Sequence, residues 1–291
     1  MSTSPEFIDL QINGHGGVDF LSAQSADEVR TAARSLYRNG VKGFLPTLIT
    51  ADPAQLMQAA KYIREVQDAP ASDEAQILGF HLEGPFISDV KCGVHPKHYI
   101  AKPNIEAMKK YLSIGDVKIV TLAPELPGAL DLIKFLVQEG VVVSLGHSNA
   151  TPDEAHAGFD AGAKTVTHLY NGMSKIPGLA GVALDREDVT IQIIVDDVHV
   201  ARADVAHALS LSMDRFIMTN DTVTPAGLGD GKYHFGEMDI EVREGRAVRV
   251  DGTLAGGIGT LQQSLDILAE LGIPADIAWA SVTTRPLALI S

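Results

Sequence analysis

The feature that most constrains the fold is a regular alternation of apolar, β-branched runs with amphipathic stretches. Eight runs read as buried strands, near residues 7–12, 43–48, 77–82, 117–123, 141–145, 165–169, 190–195 and 216–219. Helical patterns fill most of the gaps, at 26–38, 53–67, 105–112, 128–138, 152–161 and 201–211. Eight strands that alternate with helices predict parallel βαβ units closing into a (β/α)8 barrel of the TIM type. An open doubly wound sheet is the alternative, but it usually has fewer units.

The region after the eighth strand departs from this alternation. A glycine-rich loop at 227–231 is followed by alternating apolar residues at 233–235 and 240–250, with a turn at Glu244-Gly245. This pattern predicts a β-hairpin inserted after strand 8 of the barrel. Two apolar helices, near 259–271 and 274–289, follow it. Because no linker or repeat interrupts the pattern, we expect residues 1–291 to form a single barrel domain.

The composition of the chain limits which binding partners and which cellular compartment are expected. The net charge of −14 and the lack of a basic run make nucleic acid an unsuitable partner. Cys92 is the only cysteine, which excludes an internal disulfide and favours a reducing compartment, so we expect a cytoplasmic protein. No signal-peptide pattern opens the chain, and no apolar stretch approaches the roughly 20 residues of a membrane span.

Four polar residues lie at or just past the ends of predicted strands. They are Glu83, His147, His168 and Asp221. In a parallel barrel these ends meet on one face, which carries the chemistry. Two histidines and one carboxylate with an open position form a known catalytic zinc pattern, although imidazole also suits iron and other transition metals.

Each of these residues also has a structural interpretation. Glu83 could form a salt bridge or cap a helix, and a lone strand-end histidine is more often a core residue than a ligand. Asp221 could cap a turn, or act as a base that takes a proton from water and later passes it to a leaving amine. His95 and His199 lie in loops beyond strands 3 and 7, where they could be idle in solvent or could meet a substrate. We expect His81 to be a core residue.

Taken together, the motifs resemble the N-acetylglucosamine-6-phosphate deacetylase family of the amidohydrolase superfamily. They run in order along almost the whole chain: FIDLQINGHGG, FLPTLIT, HLEGPFI, KCGVH, TLAPE, GHSNAT, THLYNGM, PGLAG, DDVHV, TNDTVTPAG, GDGKYHFG and DGTLAGG. Any one piece would be weak, but the ordered set is specific to that family.

The resemblance implies hydrolysis of the N-acetyl group of N-acetylglucosamine 6-phosphate to acetate and an amino sugar phosphate. It also implies individual roles: Glu83, His147 and His168 as metal ligands, Asp221 as the catalytic aspartate, His95 as the residue that binds and polarises the amide carbonyl, His199 as a sugar contact, and Asn171 and Gly172 as the loop that holds the phosphate. Amidohydrolase barrels often place His-x-His after the first strand to hold a second metal. The neutral amides Gln11 and Asn13 stand there, which favours one divalent ion, with Zn²⁺ expected and Fe²⁺, Mn²⁺ or Co²⁺ as alternatives.

Three departures from the family pattern affect the expected substrate and assembly. We expect the small β-sandwich of the family to be missing, and we expect the barrel surface that it would cover to favour a homodimer. The loop after THLYNGM lacks the family's phosphate-clamping arginine, which leaves Lys175, or Arg202 beyond His199, as the nearest candidate. DDVHV also replaces Asp-Gly-x-His.

These departures keep other functions open. A deacylase of an unphosphorylated N-acetyl sugar or of an N-acyl amino acid is one alternative. A non-catalytic sugar-binding paralogue is another, against which the retention of all four strand-end residues argues.

Overall fold

The computed structural model describes residues 6–291. Its strands are β1 (Phe7–Ile12), β2 (Gly14–His15), β3 (Val18–Asp19), β4 (Val41–Ile49), β5 (Gln76–Ile77), β6 (Phe80–Glu83), β7 (Val117–Leu122), β8 (Val142–Leu145), β9 (Thr165–Val166), β10 (Thr190–Ile193), β11 (Phe216–Met218), β12 (Gly231–Phe235), β13 (Met238–Arg243), β14 (Arg246–Arg249) and β15 (Leu254–Gly256). Its α-helices are α1 (Ala26–Arg38), α2 (Pro53–Asp68), α3 (Ile105–Leu112), α4 (Ala129–Gln138), α5 (Pro152–Asp160), α6 (Leu179–Asp185), α7 (Arg202–Ser212), α8 (Leu261–Glu270), α9 (Ala275–Ala280) and α10 (Thr284–Leu289).

Eight parallel strands form the barrel, in the order β1-β4-β6-β7-β8-β9-β10-β11. The first and last strands meet at a seam with one isolated bridge, between Ile12 and Thr222, so the barrel is nearly closed. The predicted α/β barrel is therefore confirmed. One helix, α6, was not predicted between the sixth and seventh barrel strands.

Local sequence fixes where the helices begin after the strands. Asp52 caps α2 by accepting from the backbone N–H groups of Ala54 and Gln55. Thr151 and Glu154 form a capping box at the start of α5, where Pro152 provides a favourable first turn. These caps fix where α2 and α5 begin, a few residues after the preceding strands. The residues at the strand ends therefore lie at the mouth of the barrel.

The prediction of a β-hairpin after strand 8 is wrong in extent. The structure has a four-stranded antiparallel sheet there, in the order β12-β13-β14-β15. Glu244 and Gly245 do form a turn, both with positive φ, but a further turn at Gly236 and the return of β15 add two more strands. Nothing in the structure tests the expected lack of a β-sandwich.

The barrel interior contains both an apolar core and a buried polar network. His81 is fully buried, and its Nδ1 lies 3.0 Å from the carbonyl oxygen of Leu10. Its Nε2 lies 2.8 Å from Thr121 Oγ1, which contacts Thr167 Oγ1 at 2.7 Å. His81 is therefore a core residue, as predicted. No helix within residues 6–291 has the length and apolarity that crossing a membrane requires.

Candidate metal centre

Three buried side chains converge at the mouth of the barrel. Glu83 ends β6, and His147 and His168 lie two residues past the ends of β8 and β9, respectively. Glu83 Oε1 lies 3.0 Å from His147 Nε2 and 3.1 Å from His168 Nε2, and the two nitrogens are 3.2 Å apart. Ligand atoms about 2.1 Å from one ion lie roughly 3 to 3.4 Å from each other. These three residues could hold a metal ion.

The hydrogen bond behind His147 tests whether the group fits a cation. Its Nδ1 lies 2.9 Å from the carbonyl oxygen of Lys91, which can only accept, so Nδ1 carries a hydrogen. In the neutral ring, Nε2 then presents its lone pair to the Glu83 carboxylate. Two lone-pair atoms 3.0 Å apart require a proton or a cation between them. A second partner that sets the tautomer in this way is typical of metal-ligating histidines.

The titration of the group points in the same direction. Burial raises the pKa of Glu83, but hydrogen bonds and charge interactions with His147 and His168 lower it well below its usual value. Burial lowers the pKa of His168, while its hydrogen bond to Glu83 and that carboxylate's charge raise it by more. A proton therefore balances the buried carboxylate when no cation does. Metal binding at such sites displaces that proton.

Backbone strain is concentrated at the same strand ends. His147, His168 and Asp221 have φ values of 45°, 34° and 51°, in the left-handed region that side chains other than glycine rarely adopt. Such conformations cost on the order of 1–3 kcal/mol each and persist where the surrounding structure imposes them. In this barrel they occur where each chain segment leaves its strand and presents a side chain to the mouth.

Two amides at the C-terminal end of β1 contact the two carboxylates of the site. Asn13 Nδ2 donates to Asp221 Oδ1 at 2.7 Å, and Gln11 Nε2 donates to Glu83 Oε1 at 3.1 Å. Burial raises the pKa of Asp221 to about 6, and the charge of Glu83 adds to this effect. The amide N–H groups therefore orient the two carboxylates.

His95 lies beside this group on the loop after β6. Its Nε2 is 3.9 Å from Glu83 Oε2, and its ring centre is 4.4 Å from that of His147. Two groups of Thr50 face His95 Nδ1: the backbone N–H at 3.3 Å and Oγ1 at 2.9 Å. The neutral tautomer with its hydrogen on Nε2, toward the site, is the one that can accept from the backbone N–H. Burial and the neighbouring His147 lower the pKa of His95 to about 3, so the ring is neutral. Gly84, with φ 86°, leaves the space that Thr50 Oγ1 fills, because a Cβ there would clash with it.

His199 approaches the site from the opposite wall. Its Nδ1 donates to Asp196 Oδ2 at 2.6 Å, which leaves Nε2 as its second hydrogen-bonding atom. Asp196 also accepts from the backbone N–H groups of Val198 and His199. Burial raises the pKa of Asp196, but the hydrogen bond and charge of His199 lower it below its usual value. The imidazole is thus held by an ionised carboxylate.

These side chains share one cavity of about 240 Å³. Its lining comprises Asn13, Ile49, Glu83, Gly93, Val94, His95, His147, His168, Asn171, Gly172, His199, Asp221, Phe235 and residues 253–256. Every residue predicted for the site lies in this lining except Lys175, which is exposed on the loop before α6. Arg202 is held elsewhere, in ion pairs with Asp197 and Glu270.

Sequence reasoning missed the apolar wall of the cavity. Ile49 ends β4, while Phe235 and Leu254 come from the antiparallel sheet. The DGTLAGG motif contains Leu254 and was noted only as part of the resemblance. Its position in a conspicuous motif was the available signal, but the placement of the added sheet over the mouth is not encoded in any local pattern.

Comparisons with known proteins place this geometry in context. No family model matches the chain. N-acetylglucosamine-6-phosphate deacetylase from Vibrio furnissii is 33% identical, over 97% of this chain and 72% of its own length. The crystal structure of that enzyme from Pasteurella multocida superposes with a TM-score of 0.91 at 34% identity, covering 98% of this chain and 76% of the other. A mutant of the Mycobacterium smegmatis enzyme, solved in complex with N-acetyl-D-glucosamine-6-phosphate, has a TM-score of 0.91 at 33% identity, covering 99% and 77% of the respective chains.

Proposed function

This chain belongs to the N-acetylglucosamine-6-phosphate deacetylase family, and on that premise we propose that it hydrolyses the N-acetyl group of N-acetylglucosamine 6-phosphate or of a close amino-sugar phosphate. The products are acetate and the amino sugar phosphate. The observation that carries the proposal is the convergence of Glu83, His147, His168 and Asp221 on one cavity. We also propose that the barrel and its antiparallel sheet work as one domain, since both line that cavity.

Glu83, His147 and His168 hold the metal in this proposal. One divalent ion, with Zn²⁺ as the expected species, supplies Lewis acidity that polarises the amide carbonyl and makes water more acidic. Gln11 and Asn13 direct their amide N–H groups at the carboxylates, and a neutral amide oxygen is a weaker ligand for Zn²⁺ than imidazole, which supports a single ion.

Asp221 moves the proton. Asn13 donates to its Oδ1, so Oδ2 remains to accept a proton from the attacking water. With a pKa of about 6, the carboxyl is mainly ionised at pH 7 and still a competent acid once protonated. Water oxygen bonds to the carbonyl carbon, the C–N bond breaks, and Asp221 returns the proton to the departing amine nitrogen.

The neighbouring residues bind and orient the substrate. His95, neutral with its hydrogen on Nε2, donates to the carbonyl oxygen as negative charge develops there. His199, fixed by Asp196, contacts the sugar. The backbone at Asn171 and Gly172 and the side chain of Lys175 are proposed to hold the phosphate.

Acetate release tests the proposal directly. The purified chain, loaded with Zn²⁺, should release one acetate per N-acetylglucosamine 6-phosphate consumed, and chelation should stop the release. No acetate from this sugar with any of Zn²⁺, Fe²⁺, Mn²⁺ or Co²⁺ would contradict it.

A second candidate is deacetylation of the unphosphorylated sugar. Among residues 6–291, no lysine or arginine lines the cavity, so Lys175 would have to reach a bound phosphate from its exposed loop. Equal kcat/KM for N-acetylglucosamine with and without the 6-phosphate would favour this candidate. A phosphate preference that Lys175→Ala abolishes, but that Lys61→Ala on the exposed face of α2 preserves, would retain the first function and its clamp.

A cation could also come from a second copy of the chain. We expect a homodimer, which sedimentation at micromolar concentration would reveal as twice the chain mass of 30.9 kDa. A monomer alone would contradict this expectation.

A further inference from the structure

Asp9, in the middle of β1, is a fully buried carboxylate that the proposed reaction does not use. It lies at the seam where the first and last barrel strands meet with few backbone hydrogen bonds. Burial raises its pKa to about 7, so the carboxyl is only partly ionised near neutral pH and its charged form is costly to bury. A buried charge of this kind usually has a structural or functional reason to persist.

Its contacts cross the seam. Asp9 Oδ1 accepts from Thr219 Oγ1 at 2.7 Å and from the backbone N–H of Gln11 at 3.1 Å. Asp9 Oδ2 accepts from the backbone N–H of Asn220 at 3.2 Å. The carboxylate therefore ties β1 to the two residues that directly precede Asp221.

Both ends of this tether reach the site. Asp221 follows Asn220 in a strained left-handed conformation, and such a conformation needs its neighbours to be held. Gln11, whose backbone N–H is bound by Asp9, places its side-chain amide on Glu83 Oε1. One carboxylate thus fixes the approach of the proton carrier and the amide that contacts a candidate metal ligand.

We propose that Asp9 is a positioning residue for the reaction: it sets the location of Asp221 relative to Glu83 by clamping Thr219 and Asn220 to β1. This inference rests on the proposed function and goes beyond it. Asp9 lies behind the residues that line the cavity and is not itself in the lining, so its effect is carried through the backbone.

Asp9→Asn is the direct test. Asparagine preserves the shape and an oxygen for Thr219 and Gln11, but it turns an N–H toward the N–H of Asn220. We expect kcat to fall about 10- to 100-fold, since a misplacement of about 1 Å costs about 100-fold. KM should stay within about threefold and the metal at one ion per chain, since the sugar and metal contacts remain.

A pair of variants at Thr219 tests the same tether without touching the carboxylate. Thr219→Val removes the hydroxyl and should lower kcat about 3- to 10-fold, in line with the loss of one ordinary hydrogen bond, while Thr219→Ser retains the donor and should restore it. The double variant Asp9→Asn/Thr219→Val should be no slower than Asp9→Asn alone, because both changes break one tether.

Glu74→Gln is the matched control: Glu74 is also a buried carboxylate, paired with Arg30 far from the cavity, so its loss should lower thermal stability and leave kcat unchanged.

Two results would overturn the inference. One is a kcat for metal-loaded Asp9→Asn within about twofold of the wild-type value, well short of the loss that misplacement causes. The other is a crystal structure of Asp9→Asn in which Asn220 and Asp221 have not moved by about 0.5 Å, the tolerance of a catalytic geometry. If the wild-type chain releases no acetate, the proposed function fails, and the crystal structure still decides the role of Asp9.

Discussion

The barrel contains two buried histidine neighbourhoods that look alike in the sequence and differ in their chemistry. Around His81, deep in the barrel, both ring nitrogens have partners, in the Leu10 carbonyl and the Thr121 hydroxyl. At the mouth, His147 and His168 direct their Nε2 atoms at each other and at one carboxylate oxygen. Burial lowers the pKa of His81 to about 4, whereas Glu83 raises the pKa of His168 despite equal burial.

The difference shows that burial of a histidine does not by itself mark a site. The deep network satisfies its polar atoms with hydroxyl and carbonyl groups, and His81 and Thr121 lie within regular strands. The mouth group leaves lone pairs unsatisfied and adopts strained backbone angles just past the strand ends. Within the described residues, His168 Nδ1 is also a buried atom with no hydrogen-bond partner. Convergent acceptors on a strained scaffold distinguish a ligand set from a core network.

The largest effect should come from the mouth, at Asp221. Asp221→Asn preserves the shape of the side chain and can still accept from Asn13, but it cannot take a proton. We expect kcat to fall about 10²- to 10⁴-fold, at the high end because one residue serves both proton transfers. Steady-state assays beside metal analysis check this, and a variant with more than about a tenth of wild-type kcat would remove Asp221 from the proton-carrying role.

A substitution in the deep network around His81 should lower the free energy of unfolding and leave metal binding unchanged. His81→Ala removes a fully buried ring and both of its hydrogen bonds. We expect a loss of about 2–5 kcal/mol in the free energy of unfolding, the range for large buried side chains cut to alanine. Urea denaturation measures the loss. If metal stoichiometry fell with stability, the separation of the two neighbourhoods would not hold.

The smallest expected effect is on the pH dependence of kcat/KM. Asp221 must be ionised to accept a proton, and its pKa without metal is about 6, so kcat/KM should fall as the pH drops through 6. A bound cation lowers the pKa of this carboxyl further, which places the midpoint of the acid limb at 6 or below. Asn13→Ala removes a hydrogen bond that lowers the pKa, so the limb should move upward. A limb that is the same in Asp221→Asn as in the wild type would assign it to another group.

Much of this arrangement could be predicted from residue order alone. The strand-end positions of Glu83, His147 and His168 follow from apolar runs that stop one or two residues earlier, and a parallel barrel brings such ends together. The core position of His81 was predicted from its place within a strand. Gln11 and Asn13 were identified from the sequence as neutral amides at the position of a second metal site, but their contacts with Glu83 and Asp221 were not predicted.

The features that could not be predicted from the sequence depend on contacts between segments that are far apart in the chain. Asp9 looks like an isolated polar residue in an apolar strand, and only closure of the barrel brings it to Thr219, 210 positions away. The pairing of Thr50 with His95 depends on how one loop folds back over another. The antiparallel sheet has more strands than the sequence predicted. Gly236 makes a tight turn between β12 and β13, and the residues at this turn are not among the pairs that typically indicate a two-residue hairpin loop.

The central claim is that Glu83, His147 and His168 bind one metal ion and that His81 does not. The number of metal ions per chain in the wild type and in single variants tests this claim most directly. Elemental analysis of the purified wild-type protein and of Glu83→Gln, His147→Ala, His168→Ala and His81→Ala compares the two neighbourhoods in one experiment. We predict one divalent ion per chain in the wild type and in His81→Ala, and little or none in the other three, because each of those loses one of three ligands. Two tightly held ions per wild-type chain, or an unchanged single ion in all three mouth variants, would contradict the account.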